Sequence, residues 1–535
     1  MKRILFLLTA LIIFSILIFI TGCIQTKKHD IIIKSGKIVD GTGNPEFIGD
    51  IGIDGDRIVE IGTIPENKGK SIIDAEGLCV VPGFIDVHTH VDRKIASEPT
   101  VKNYLLQGVT TVVGGNCGAS EYPLSELFTQ LEETGIAINF ATYVGHNTVR
   151  EQVMGEGDRA PTAEEIAQMQ QLVKQEMEAG AIGFSTGLSY VPGIYSTTEE
   201  IIELVKMTSP FDGIYATHLR NQGEHIKQAI EEAIRIGREA GVTVDVSHIK
   251  LAEEAVWGKY HLITDPIENA QKQGMRVYMD QYPYTATSSG FTSSFPGWAV
   301  AGGHDSLLER LKDPEKYQLI KAAIIERRLT SARGIDKLST IYVAYNENHH
   351  EYEGKNLAEI LDMLGREKTV SNGADLIIEM EKTDRPRGIF FQMAEEDVAT
   401  LMQKPYNMIA SDGKIEIPGV EVPHPRAYGT FPRVIARYVR DGAVLTLPDV
   451  IRKMTSLPAE AMNFEKRDLL KKGYFADIVI FDLDKIQDTA TFENPHQYPE
   501  GIKWVIVNGR IAAEDGKVVA KNSGKILYGK GRKNE

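Results

Sequence analysis

The feature that most constrains this fold is an alternation of short apolar segments and helical stretches through the middle of the chain. Helical patterns separate most of these segments, which is typical of a parallel α/β domain. Eight such units predict a TIM (β/α)8 barrel. The predicted barrel strands are 84–88, 110–114, 138–144, 181–185, 214–218, 243–248, 276–280 and 407–411.

Strand-rich sequence with turn residues flanks this middle on both sides. We therefore predict one small β domain, a sandwich or barrel, assembled from residues 24–81 and 466–535 around a catalytic barrel at 82–465. The rhythm of strands and helices breaks at about 287–353, where aromatic, glycine and serine residues accumulate. We interpret that break as an insertion over the barrel mouth, which would serve as a lid.

The first 23 residues have a different composition. Lys2 and Arg3 precede an apolar run at 4–20, and Thr21-Gly22-Cys23 follows it. The run is short for a membrane span but suits a signal peptide, and its ending resembles a bacterial lipobox, in which Cys23 is acylated. The alternative is an uncleaved N-terminal anchor helix. Both predict an extracytoplasmic protein held at the bacterial cell membrane or envelope, and the first predicts the lipid on Cys23 as its membrane contact.

Charge and cysteine content exclude several classes of protein. The formal net charge of −15 argues against a nucleic-acid partner and favours an enzyme acting on small molecules. Only three cysteines occur in 535 residues, so the chain is not a disulfide scaffold. Cys79 lies in an apolar run and is predicted to be a small buried side chain.

Polar residues follow the ends of five of the predicted strands. In a barrel these ends meet on one rim, where active sites are found. A His-x-His pair at a strand end points both imidazoles to the same face, since strand side chains alternate, although an isolated pair is commonly incidental. The candidate residues are His88, His90, Cys117, His218, His248 and Asp412.

This set of side chains predicts a metal centre. Imidazole and thiolate together favour zinc, and the Cys117 thiolate could bridge two ions. Such a cation acidifies water and polarises a carbonyl group, and Asp412 is placed to take the proton of the water and return it to a leaving amine. The alternative for Asp412 is an ordinary turn residue in Ser411-Asp412-Gly413.

Several motifs carry a resemblance to a known family. The segment 83–90 (GFIDVHTH) resembles the first-strand signature of the amidohydrolase superfamily. More specific segments resemble the D-aminoacylase (N-acyl-D-amino-acid deacylase) family over roughly residues 30–510. They are 108–112 (GVTTV), 115–118 (GNCG), 217–221 (THLRN), 246–250 (VSHIK), 282–286 (YPYTA) and 424–426 (HPR).

The resemblance implies a fold, an activity and a set of roles. It implies hydrolysis of N-acyl-D-amino acids, with the preference for the D form resting on the resemblance alone. Asp412 would be the catalytic acid and base, and Arg426, with Tyr282 or Tyr284, would hold the substrate carboxylate, as a guanidinium fork binds carboxylates well. The implied zinc sites are a tight one on Cys117, His218 and His248 and a weaker one on His88 and His90 that shares Cys117.

Other functions are compatible with parts of the sequence. Hydantoinases and many dihydroorotases bridge their metals with a carboxylated lysine on strand four, but the segment 181–187 has no lysine, which points away from cyclic amides. The same segment fits the G-x-S-x-G pattern of serine hydrolases, but loop sequence rather than a helix follows it. Hydrolysis of a cyclic amide or a dipeptide, a non-catalytic lipid-anchored solute-binding protein and a metal-buffering protein remain the alternatives.

Overall fold

A closed parallel barrel forms the centre of the computed structural model, which describes residues 28–532. Strands one to three and strands three to eight form two sheets, and strand three is interrupted between them at Tyr143. A parallel bridge from Thr89 to Gly413 joins strand one to strand eight. The predicted TIM barrel is confirmed, with strands at Phe84–Asp86, Val109–Gly114, Asn139–Thr142 with Val144–Gly145, Gly183–Gly187, Ile214–His218, Thr243–Val246, Val277–Gln281 and Asn407–Ile409.

Helices surround the barrel and cover the outer face of its strands. Because both faces of the sheet are covered, strands such as Val109–Gly114 are buried along their whole length. Thr162 caps the helix Ala163–Ala179, which precedes strand four, and its side chain and Glu165 form a capping box. The main barrel helices are Leu124–Thr134, His146–Met154, Ala163–Ala179, Thr198–Val205, Ile226–Ala240, His261–Lys272, Glu395–Met402, Arg426–Arg433, Leu447–Met454 and Ser456–Ala461.

One nine-stranded sheet unites the two ends of the described chain. Its centre is the strand Cys79–Pro82, which pairs parallel with His29–Ile38 and antiparallel with Ile478–Phe481. Cys79 is buried, as predicted, and it is not part of a disulfide. The other strands are Phe47–Asp54, Arg57–Gly62, Gly69–Asp74, Ile502–Val507, Arg510–Glu514 and Lys517–Val518.

The last described residues leave this small domain and return to the barrel. Phe140 of strand three forms a parallel bridge with Ile526 and accepts a hydrogen bond from the amide of Leu527. The amide of Gly529 donates to the carbonyl of Gly180, just before strand four. The segment 524–529 therefore packs on the amino ends of strands three and four, although we predicted the whole of 466–535 as part of the small domain.

The insertion between strands seven and eight, residues 286–391, is longer than the predicted range of about 287–353. It contains a three-stranded antiparallel sheet in which Arg387–Phe391 lies between Ala286–Gly290 and Ile341–Tyr345. The insertion extends to residue 391, because the central strand of its sheet, Arg387–Phe391, comes last in the chain. Its helices are Gly297–Val300, Gly303–Leu311, Pro314–Ile324 with a π-helical turn at Ile325–Leu329, Leu357–Met363 and Val370–Thr383, and they enclose a separate apolar core.

The predicted signal peptide and Cys23 lie outside the described residues. Within residues 28–532, none of the helices has the length and apolar character needed to cross a membrane.

Candidate metal centre

The carboxyl ends of the barrel strands bring all six predicted residues together. Cys117 lies at the middle of the group, with its Sγ atom 3.3 Å from His88 Nε2, 3.3 Å from His248 Nε2 and 3.7 Å from His218 Nδ1. His90 Nε2 lies 3.1 Å from Asp412 Oδ1. The ligand atoms form three overlapping groups in which all atoms lie within 4.8 Å of one another, namely His88/His90/Cys117, Cys117/His218/His248 and His88/His248/Asp412.

The loop that carries Cys117 has an unusual backbone. Cys117 has a φ of 55°, and the flanking Gly115 and Gly118 have φ values of 70° and 77°. A Cβ atom at Gly118 would lie 2.7 Å from the backbone nitrogen of Gly187, so only glycine fits there. Ser185 holds the loop from strand four, since its Oγ accepts from the Gly118 amide at 3.0 Å and donates to the Gly115 carbonyl. The serine of the G-x-S-x-G pattern thus fixes a loop and is not a nucleophile.

His218 and His248 are oriented by contacts to their second ring nitrogen. His218 Nε2 lies 2.8 Å from Ser189 Oγ, which leaves Nδ1 facing the sulfur. His248 Nδ1 lies 3.1 Å from Lys250 Nζ, and its amide donates to Asp280 Oδ1 at 2.9 Å. The partners of the second nitrogen are what fix the direction of a ligating imidazole.

Asp412 is held where strands one and eight meet. Its amide donates to the His88 carbonyl at 2.8 Å, and the His90 amide donates to the Gly413 carbonyl at 2.8 Å. The carboxylate accepts from Arg426 Nη1 on Oδ2 at 2.7 Å and faces His90 with Oδ1. Asp412 has a φ of 51° and His248 has a φ of 36°. Together with Cys117, three residues of the site therefore have a positive φ, a backbone conformation that costs about 1–3 kcal/mol for each non-glycine residue.

Burial keeps the imidazoles in the neutral form that binds metals. It lowers the pKa of His88 to about 4 and the pKa of His218 and His248 well below the usual range. It also raises the pKa of the Cys117 thiol far above the ordinary value, with Asp412 adding to the effect. A buried thiol surrounded by neutral imidazoles suits a cation, which would stabilise the thiolate.

The residues fit a zinc centre by the chemistry of their donors. The group Cys117/His218/His248 offers one thiolate and two imidazoles from the ends of three strands, and three protein ligands are usual in catalytic zinc sites. Cys117 also belongs to the group His88/His90/Cys117, so the same sulfur atom is a candidate ligand in both groups. This is the arrangement in which a cysteine can bridge two ions.

The site opens into a cavity of about 780 Å³, which the insertion helps to enclose. Arg426 and Tyr282 line this cavity, and the Arg426 guanidinium lies over the Tyr282 ring, 4.7 Å from its centroid. Tyr284 does not line it and instead packs against His424 and under Arg433. The prediction of Tyr284 as a substrate ligand is therefore wrong: strand seven ends at Gln281, so the alternation of side chains does not continue to residue 284.

Sequence reasoning missed two residues of the site. Asp280 is the penultimate residue of strand seven, and its Oδ2 lies 3.5 Å from His88 Nδ1, so it faces the ring nitrogen opposite the sulfur. The signal was its place at a strand end. Lys250 is 4% exposed, lines the cavity and lies two residues beyond His248; the His-x-Lys spacing repeats the His-x-His spacing of strand one.

A TIM barrel whose rim carries clustered imidazoles, a thiol and a carboxylate is typical of metal-dependent hydrolases. A model described as "Amidohydrolase family" matches residues 71–289 and 362–513. D-aminoacylase of Alcaligenes xylosoxydans xylosoxydans is 36% identical, with 94% of this chain and 98% of the relative covered.

Solved structures agree with these relationships. N-acyl-D-glutamate deacylase from Bordetella bronchiseptica, determined with zinc and a phosphonate inhibitor, has a TM-score of 0.80 at 32% identity, over 94% of this chain and all of that one. A D-aminoacylase structure has a TM-score of 0.79 at 34% identity and the same coverage. The chain belongs to the amidohydrolase family and, within it, to the D-aminoacylases.

Because Cys117 belongs to two donor groups and His90 to one, their loss should affect zinc content differently. After dialysis against metal-free buffer, we expect His90→Ala to keep the zinc retained by the wild type and Cys117→Ala to lose it. Cys79→Ala, which removes the other described cysteine, is the control and should keep its zinc. Elemental analysis gives the ratio of metal to protein. Retention of zinc by Cys117→Ala at the level of Cys79→Ala would contradict the assignment.

Proposed function

We propose that this protein hydrolyses the amide bond of N-acyl-D-amino acids and releases a carboxylate and a free D-amino acid. The observation that carries the proposal is the cluster of Cys117 and three imidazoles beside an ion-paired Asp412 and Arg426, in a chain of the D-aminoacylase family. Its relatives are named for this reaction, and one of them binds zinc with an inhibitor that mimics the tetrahedral intermediate.

Zinc would be held tightly by Cys117, His218 and His248, and a weaker second ion by His88 and His90 with the same sulfur. The bound metal supplies an acidified water and polarises the acyl carbonyl. The protein keeps its ligands in place through the strained loop at Cys117 and the contacts of Ser189 and Lys250 to the two histidines. These contacts orient the ligands before substrate arrives.

Asp412 moves the proton. Burial would raise the pKa of this carboxyl, but the Arg426 guanidinium, together with His248 and His90, holds it well below its usual range. Asp412 is therefore ionised in the resting site and can accept a proton from the attacking water. The same oxygen can then return that proton to the leaving amine, since it faces His90 within the ligand cluster.

Arg426 binds the α-carboxylate of the substrate. Asp412 occupies Nη1 of its guanidinium, and four of the five N–H donors of an arginine side chain remain for a carboxylate. The Tyr282 hydroxyl is buried next to it and has no hydrogen-bond partner among residues 28–532. A substrate carboxylate would satisfy both groups, which fixes the acyl carbonyl relative to the ligand cluster.

A linear amide suits the site better than a cyclic one. Strand four, Gly183–Gly187, carries no lysine that could be carboxylated, and Cys117, which belongs to two of the ligand groups, would bridge the ions instead. We therefore retain the linear N-acyl amino acid as the substrate class.

Replacement of Asp412 separates catalysis from metal binding. We expect Asp412→Asn to lower kcat for N-acetyl-D-amino acids by about 10²–10⁴-fold, the usual contribution of a general acid and base. Zinc content should stay at the wild-type level, because Asp412 is outside the Cys117/His218/His248 group. Asp441→Asn, which changes an exposed carboxylate paired with Arg440, is the control. Turnover by Asp412→Asn within threefold of that control would refute the role.

We also propose that the protein is exported and anchored to the bacterial cell membrane or envelope by acylation of Cys23. The support is the sequence alone, in which two cationic residues, an apolar run and Thr21-Gly22-Cys23 follow in the order of a lipoprotein signal.

The anchor predicts a change of compartment on mutation. In a bacterial host that acylates lipoproteins, the wild-type chain should incorporate labelled palmitate and sediment with membranes, whereas Cys23→Ser should not be labelled. Cys79→Ser is the matched control and should be labelled as the wild type is. Equal labelling of Cys23→Ser and the wild type would exclude lipidation at this residue.

A further inference from the structure

The second ring nitrogen of His248 faces two side chains of different hydrogen-bonding capacity. In the described part of the chain, the partners of His248 Nδ1 are Lys250 Nζ at 3.1 Å and the side-chain amide of Gln222 at 3.3 Å. The other ring nitrogen, Nε2, lies 3.3 Å from Cys117 Sγ and faces the ligand cluster. The partners of Nδ1 therefore decide which nitrogen of this ring carries the proton.

The contact with Lys250 selects one tautomer of the ring. A lysine ammonium group has three donors and no acceptor, so Nδ1 must be the acceptor in this contact. A neutral imidazole carries one proton, and that proton is then on Nε2, where it faces Cys117 Sγ. A proton at this position is incompatible with metal binding through Nε2.

Zinc on His248 requires the opposite tautomer. An imidazole binds a metal through the lone pair of one nitrogen, so the proton moves to the other nitrogen, which here is Nδ1. The Nδ1–H group would then face the Lys250 ammonium, which is also a donor. Two opposed donors are unfavourable in a buried site, and both His248 and Lys250 are buried. The proton on Nδ1 needs an acceptor, and Gln222 is the remaining partner.

Gln222 is held where its amide oxygen can take this proton. It follows strand five, four residues after His218, and its backbone carbonyl accepts from the amide of Ala252 at 2.8 Å. Its Oε1 accepts from Lys250 Nζ at 3.1 Å, so its Nε2 is the atom that faces Nδ1. The last torsion of a glutamine side chain is close to two-fold. Rotation by 180° therefore places Oε1 against Nδ1 without any movement of the backbone.

The same rotation releases Lys250 from both of its partners. After it, Gln222 presents a donor to Lys250, and the Nδ1–H group of His248 no longer accepts from the ammonium. Lys250 lines the cavity, and its Nζ lies 5.6 Å from the centroid of the Tyr282 ring, so groups in the cavity can accept from it instead. The hydrogen bonds around His248 thus have two arrangements, and metal on Nε2 is compatible with only one of them.

We propose that Gln222 is a positioning residue of the zinc site, whose Oε1 accepts from His248 Nδ1–H, in place of Lys250, when Nε2 binds zinc. The ring loses one proton to solvent from Nε2 and gains one on Nδ1, so its charge does not change. An acceptor on the second nitrogen raises the basicity of a ligating imidazole and fixes its direction. The inference rests on the zinc site of the proposed function and adds to it a residue that is not one of the ligands.

Zinc affinity tests this role without any substrate. Competition with a chelator of known affinity gives the dissociation constant of the purified protein for its first zinc ion. Gln222→Met removes the acceptor, and we expect it to weaken zinc binding by about tenfold or more, the usual effect of losing such a partner. Gln222→Glu keeps an acceptor and should bind zinc at least as tightly as the wild type. Gln392→Met is the matched control, because Gln392 also lines the cavity but contacts Arg328 and Thr287.

Two further comparisons assign the effect to the His248 ring. Lys250→Met removes a donor and not the acceptor, so it should weaken zinc binding less than Gln222→Met does. In a His248→Ala background, the replacement Gln222→Met should change the dissociation constant by less than about twofold, because Gln222 acts through the imidazole that this background lacks. A purely structural role of Gln222 would weaken zinc binding in both backgrounds, and it would not be rescued by Gln222→Glu.

The outcomes separate this inference from the function on which it rests. Equal zinc affinity of Gln222→Met and Gln392→Met would overturn the role of Gln222 and leave the zinc site standing. A tenfold loss in Lys250→Met without a loss in Gln222→Met would overturn it as well, because Lys250 would then be the acceptor. Failure of the wild-type protein to bind zinc would contradict the zinc site itself, and with it the proposed function.

Discussion

Closure of the barrel between its first and last strands determines the rest of the site. The amides of His90 and Asp412 donate to carbonyls on the opposite strand, and Asp86 Oδ1 accepts from the amides of both His88 and Ser411. This pairing brings Asp412 against His90 although 322 residues separate them. Without closure, the Asp412 carboxylate and the imidazoles of His88 and His90 would lie on opposite edges of an open sheet.

Three residues of the site have energetically unfavourable backbone conformations. Cys117, His248 and Asp412 all have positive φ angles, and non-glycine residues rarely adopt them. Each strained residue is held by interactions from another strand, such as Ser185 at the Cys117 loop and Asp280 at the His248 amide. The surrounding barrel thus supplies the stability that orients the ligands before substrate binds.

The sequence predicts best those features whose position depends on apolar periodicity and on the ends of strands. All eight barrel strands and the six residues of the cluster follow from apolar segments and from the polar residues after them, because parallel strands of a barrel place their carboxyl ends on one rim. The small domain was also predictable, since its strands have turn residues between them.

The rest depends on tertiary contacts that have no local signal. The insertion extends to residue 391 because its central strand comes last in the chain. Tyr284 does not line the cavity, because strand seven and its alternation of side chains end at Gln281. Asp280 had a signal in its position, but its role required the distance to His88.

The proposed metal site is centred on Cys117 and the imidazoles around it. X-ray absorption at the zinc edge, on protein loaded with one equivalent of zinc, tests this proposal most directly. We expect one sulfur neighbour together with imidazole nitrogens, and loss of the sulfur signal in Cys117→Ser. A first shell of oxygen and nitrogen alone in the wild-type protein would contradict it.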